Sequence, residues 1–142
     1  MQYVPIRRRS REQILANLSS GSPEEIAAAL LSAAYWDSDW KWAQQQLFRF
    51  AGRDDDQILW AVATGLGFIA AFHGELDERE AQLVLNRLKA RPGVANAAEE
   101  TTADIEHFVK KRREGQDVDL AERLPEDWSP PQGHFKNNQD RS

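Results

Sequence analysis

The chain repeats itself, and that repeat constrains its fold more than any other feature. Setting Asp39 on Asp77, a shift of 38 positions, superposes Ala43 on Ala81, Gln44 on Gln82, Leu47 on Leu85, Arg49 on Arg87 and Arg53 on Arg91. The second half of each unit aligns at a shift of 36, which sets Ile58, Ala61, Val62, Leu66 and Ile69 on Val94, Ala97, Ala98, Thr102 and Ile105. Each unit reads as a helix, a short polar turn and a second helix. Such a hairpin cannot bury its apolar faces alone, so stacking with its neighbours is the expected solution. The fold class that follows is all-α, an α-α superhelix of about three antiparallel helical hairpins.

Capping signals divide the chain into six predicted helices, near 11–20, 23–35, 39–51, 56–73, 78–90 and 94–113. Ser10-x-x-Gln13 and Asp77-x-x-Glu80 have the spacing of capping boxes, and Ser22-Pro23-Glu24-Glu25 puts proline at the first helical position with acids in the first turn. Asp37 or Asp39 opens the third helix, and the run Asp54-Asp55-Asp56 opens the fourth. Gly21, Gly52 and Gly74 follow helix ends, and the basic run Lys110 to Arg113 suits the C-terminal dipole of the sixth helix. Trp40, Leu47, Leu66, Ile69, Leu85 and Ile105 are expected in the core. Gly65 and Gly67 each cost a helix roughly 1 kcal/mol against alanine, which is explained by close helix approach. The layout is a basic arm over 1–9, a helical domain over 10–114 and a proline-containing tail over 115–142. In that tail Trp128 is the one large anchor.

Composition sets the outer limits. A chain of 142 residues without cysteine has neither disulfides nor thiol chemistry. The start reads without a signal peptide, since Arg7-Arg8-Arg9 leads into polar residues. The uncharged run from Ile58 to Phe72 falls short of the ~20 residues that span a bilayer. A cytoplasmic location with no membrane contact is therefore expected. The net charge of −5 is segregated. The first 13 residues carry four arginines against Glu12, whereas residues 14–109 carry 7 basic and 15 acidic side chains. An acidic body repels nucleic acid phosphates and favours a basic protein partner.

Two groups of residues stand out as candidate contacts. If the second helix of each pair lines a concave face, subtracting the core positions leaves a stripe of Trp60, Thr64 and Phe68 on helix four. The matching stripe on helix six is Asn96, Glu100, Asp104 and His107. Large aromatics in such a stripe demand a cover, and Trp is enriched at interface hot spots. Trp36, at the turn after helix two, serves either as a lid over a helix-pair end or as a partner contact. Trp42 cannot share the core face of Trp40, so it is either exposed or covered by an arm or tail. Asp37, Asp54, Asp55 and Asp56 form a secondary acidic surface. No catalytic set is visible: the serines fall mainly at caps and turns and lack a nucleophile motif. Asp104-x-x-His107 with Glu100 has the spacing of half a bundle metal site without its matching half. Neither a metal nor a cofactor is expected.

Three segments together resemble the HEAT-like repeat proteins of bacteria: Asp39-Trp40-Lys41-Trp42-Ala43-Gln44, the run from Ile58 to Ile69, and the run from Val94 to Phe108. They cover about residues 37–109. Small acidic single-domain proteins of this kind are similar to immunity proteins that neutralise polymorphic or contact-dependent toxins. The resemblance implies a toxin domain as partner, of a basic, nuclease type, and no enzymatic activity. A lyase built on HEAT-like repeats and a generic scaffold are the alternatives.

Overall fold

A computed structural model of the chain describes residues 6–122, which are helical with no strand among them. Six main helices follow in order: α1 (Arg11–Ser20), α2 (Pro23–Trp36), α3 (Trp40–Arg49), α4 (Asp56–His73), α5 (Glu78–Leu88) and α6 (Ala95–Asp104). The last continues through a π-helical turn, Ile105–Lys110, into a short α7, Lys111–Arg113. The starts are where the side-chain chemistry places them. Ser10 and Ser22 form complete capping boxes with Gln13 and Glu25, and the Asp39, Asp55 and Asp77 carboxylates accept first-turn amides of α3, α4 and α5. α4 ends on Gly74, whose φ of 66° lies in the left-handed region that glycine occupies without strain.

Contacts between helix ends fix the arrangement. Arg11 at the start of α1 meets Asp37 at the end of α2, and Arg113 after α6 meets Glu78 at the start of α5, so both pairs run antiparallel. Arg91, just before α6, binds Asp56 at the start of α4, and Arg112 donates to the His73 carbonyl at the end of α4. α4 and α6 therefore run parallel. α2 packs on α4 and α4 on α6 in one row, while α1, α3 and α5 each pack against members of that row. The outcome is a helical superhelix with α4 at its centre.

The core runs the length of that row. Leu30, Leu47, Leu66, Ile69, Leu85 and Ile105 are fully buried, each contributing about 1.5–3 kcal/mol through apolar area removed from water. Trp40 departs from expectation: it is half-buried and packs on the core's margin. The two helix-interior glycines of α4 mark close approaches. A Cβ on Gly65 would lie 2.8 Å from Leu47 Cδ2 and 3.2 Å from Ala34 Cβ, and one on Gly67 would lie 2.9 Å from Thr101 Oγ1. Gly65→Ala is thus expected to destabilise the fold by about 1–3 kcal/mol through overpacking, despite alanine's better helix propensity. A urea titration with an unchanged slope and a lowered midpoint would show it; a stabilised variant would contradict the close approach.

Beyond α7 the chain turns back. The Ala121 amide donates to the Ala71 carbonyl at 2.8 Å, and Leu120 lies beside Gly74. The expected anchor Trp128 falls outside the described residues. Among those residues no helix is long and apolar enough to cross a membrane.

Candidate partner-binding surface

The sequence placed a contact stripe on α4 and α6, and the two helices pack side by side. Thr101, buried on α6, donates through Oγ1 to the Ala63 carbonyl of α4 at 2.8 Å. One turn further on, the Asp104 carboxylate lies against Gly67. These two contacts set α6 beside α4 along their lengths. Trp60 is 42% exposed and is the one large aromatic among the described residues to stand so far into solvent. Thr64 and Asp104 are half-buried, and Asn96, Glu100 and His107 are exposed. The His107 ring meets Phe108 edge-on, with centroids 4.7 Å apart.

Phe68 requires a correction. It shares the helical register of Trp60 and Thr64, yet it is only 9% exposed and belongs to the core. Tyr35, at the end of α2, meets the rings of both Phe68 and Phe72 edge-on, at 5.3 and 5.2 Å, while Phe68 and Phe72 stack at 5.9 Å. Such edge-on and stacked pairs add to the area buried. The cover that a large aromatic demands comes here from the chain's own α2.

Trp36 and Trp42 are also engaged internally. Trp36 is half-buried; its indole N–H donates to the Ile6 carbonyl at 2.8 Å, its ring meets Tyr35 at 5.0 Å, and the Arg8 guanidinium lies 5.6 Å from the ring centre. It anchors the N-terminal arm. Trp42 is covered by Arg11, whose guanidinium sits 4.4 Å over the ring, a cation–π contact.

The two acidic regions differ in how far their charge is already spoken for. Asp37 holds Arg11 in a two-pronged ion pair, both contacts at 2.9 Å. Asp54 and Asp56 together hold Arg91 at 3.0 and 2.7 Å, and Asp55 caps α4. Hydrogen bonding to these carboxylates pushes the pKa of Arg11 and Arg91 upward. Glu99 and Glu100 on α6, by contrast, make no ion pair with any described residue. Glu100, exposed on α6, therefore leaves its charge open on the helix that packs beside α4.

Nothing in the sequence signalled the π-helical turn. It begins at Ile105, within the strip between Asp104 and His107, and its wider bonding carries the Lys111 amide to the Glu106 carbonyl. Such turns recur at functional sites, and this one sets the outward direction of His107. Among the described residues no group of three or more His, Asp or Glu side chains is arranged to hold a metal ion.

One solved structure is similar over nearly its whole length: a chain of the crystal structure of the CDI complex from Cupriavidus taiwanensis LMG 19424. It is 34% identical to this chain, with 76% of this chain and 97% of that one covered and a TM-score of 0.67. No protein-family model matches the sequence, and no curated protein does.

Proposed function

This chain belongs to the family of the CDI-complex protein it matches, and from that premise we propose that it is an immunity protein, a binder that neutralises the toxin domain of a contact-dependent inhibition pair. The single observation that carries this reading is a relative from a CDI complex, matched at 34% identity over 97% of its length. The protein acts by occupying a surface, not by catalysing a step. Its partner is a basic toxin domain of the nuclease type, because an acidic surface covers the cationic groups with which such a domain grips phosphates.

The surface we assign is the strip on α4 and α6. Trp60 supplies the apolar centre, with Thr64 and Asn96 beside it, while Glu100, Asp104 and His107 form the polar side. Interfaces of this kind place a few desolvated aromatics at the centre and charge at the margin. Trp36, Trp42 and the aspartates at 37 and 54–56 are assigned a supporting role, since they already make ring, ion-pair or capping contacts within the chain.

The reading is tested with the toxin domain encoded beside this protein. Cells producing that domain should survive when this protein is co-produced, and the two should co-purify. Survival without complex formation, or a complex without protection, would sink it. Within the complex, the double change Glu100→Lys with Asp104→Asn should slow association about tenfold at low salt and flatten its salt dependence. Stopped-flow association at two ionic strengths reads this directly. An unchanged rate would remove α6 from the encounter surface.

A further inference from the structure

The N-terminal arm and the first two helices enclose an open pocket of about 450 Å³, lined by Arg8, Arg9, Ser10, Arg11, Ile14, Ser32, Trp36, Asp37 and Ser38. Its walls carry three guanidinium groups against one carboxylate. Asp37 is committed to Arg11, which leaves two cations in excess. Arg8 lies over Trp36 and makes no ion pair among the described residues. Arg9 is half-buried; its backbone amide donates to the buried Ser32 hydroxyl at 3.1 Å, and among the described residues its side chain hydrogen-bonds the Ala28 carbonyl alone, at 3.4 Å. Neither contact supplies negative charge.

A half-buried guanidinium held by one long bond to a neutral carbonyl is electrostatically undersupplied. Burial, and secondarily the neighbouring Arg7, push its pKa down, and an anion in the pocket would oppose both by stabilising the charged guanidinium. The start of α1, which opens on this pocket, adds the positive end of a helix dipole. The surrounding body is acidic, so this is a cationic recess on a molecule that otherwise repels anions.

We propose that this pocket is a binding site for a multivalent oxyanion, phosphate or carboxylate, gripped by Arg8 and Arg9. Arg8 is the mobile prong, free to leave the Trp36 face for the ligand. Arg9 is the fixed prong, held in register by the Ser32 bond. The Ser10 and Ser38 hydroxyls stand at the rim as further donors. The site is independent of the α4 and α6 strip and of the neutralising role assigned to it.

Calorimetric titration of the full-length protein with inorganic pyrophosphate, and separately with tetraglutamate, tests the site. At least one probe should bind at millimolar or tighter concentration, weakening as salt is raised. The tighter probe names the source, a free phosphate compound or an acidic protein segment. Arg8→Gln should weaken binding at least fivefold and Arg9→Gln at least tenfold. Arg8→Gln is the safer variant, because the Trp36 bond to Ile6 and the Arg9 bond to Ser32 still dock the arm; helicity and melting temperature serve as the check. No binding of either probe at 10 mM (about 2.7 kcal/mol, by the standard conversion of affinity to free energy) would overturn the proposal. So would binding that Arg8→Gln leaves unchanged in a folded protein.

Discussion

Replacing Phe68 with alanine is expected to destabilise the protein by about 3–5 kcal/mol, the range for emptying a buried phenylalanine site. The ring sits in contact with both Tyr35 and Phe72, so its removal opens a cavity where the end of α2 meets α4. That junction belongs to the most extensive helix pairing in the molecule, and little backbone there is free to collapse inward. A loss of this size is a large part of the 5–15 kcal/mol that typically separates folded from unfolded domains. Chemical denaturation should therefore show a sharply lowered midpoint, and any loss of partner binding should follow from unfolding. Phe68→Ala with near-normal stability and weakened binding would return the side chain to the interface.

The second large effect is expected at Trp60. Trp60→Ala should cost roughly 2 kcal/mol or more of binding free energy, about thirtyfold in affinity, and should act on dissociation more than on association. At 42% exposure in the free protein, more than half of the side chain is already covered by the fold and the remainder is open to a partner. Stability should fall by less than in Phe68→Ala, about 1–2 kcal/mol, through the covered part of the ring alone. The paired measurements, denaturation of the free protein and dissociation rate of the complex, separate this residue from Phe68. An unaltered dissociation rate in Trp60→Ala would move the interface to another face.

The contrast between these two aromatics shows where sequence reasoning succeeds and where it stops. Trp60, Thr64 and Phe68 are four residues apart and share one helix face, so periodicity assigns them one environment. The structure splits them, because Tyr35, near the end of α2, packs on Phe68 while Trp60 stays exposed. Periodicity describes a helix in isolation, and which neighbour covers a given turn is a tertiary fact. Local chemistry was legible for the converse reason. The capping box at Ser10 and the helix starts at Ser22 and Asp77 are written in residues close in sequence; Ser22 turns out to be a full box as well, whereas at Asp77 only the half in which its carboxylate accepts the Glu80 amide forms. Gly65 and Gly67 also announced themselves, since a helix tolerates such residues mainly where a neighbour excludes a side chain. The role of Trp36 was half legible. Its place at a helix-pair end followed from its position, but its bond to the Ile6 carbonyl depends on an arm whose path no periodicity describes.

The π-helical turn has a consequence for how this surface could diversify. A π turn holds about one residue more than an α turn, and one residue corresponds to about 100° of rotation. Everything after Lys110 is thus phased separately from the acidic strip before Ile105. That phase lets Arg112 reach the His73 carbonyl and Arg113 reach Glu78, which fastens the end of the helix to α4 and α5. The two stretches therefore answer to different demands on one continuous rod. The exposed positions before the turn, such as Asn96 and Glu100, can vary without disturbing the packed ones, while the wide turn takes up the angular mismatch and residues 111–113 keep their grip. In mechanical terms it is a coupling between two shafts, and it separates the part of the helix that we assign to partner recognition from the part that fastens it to α4 and α5.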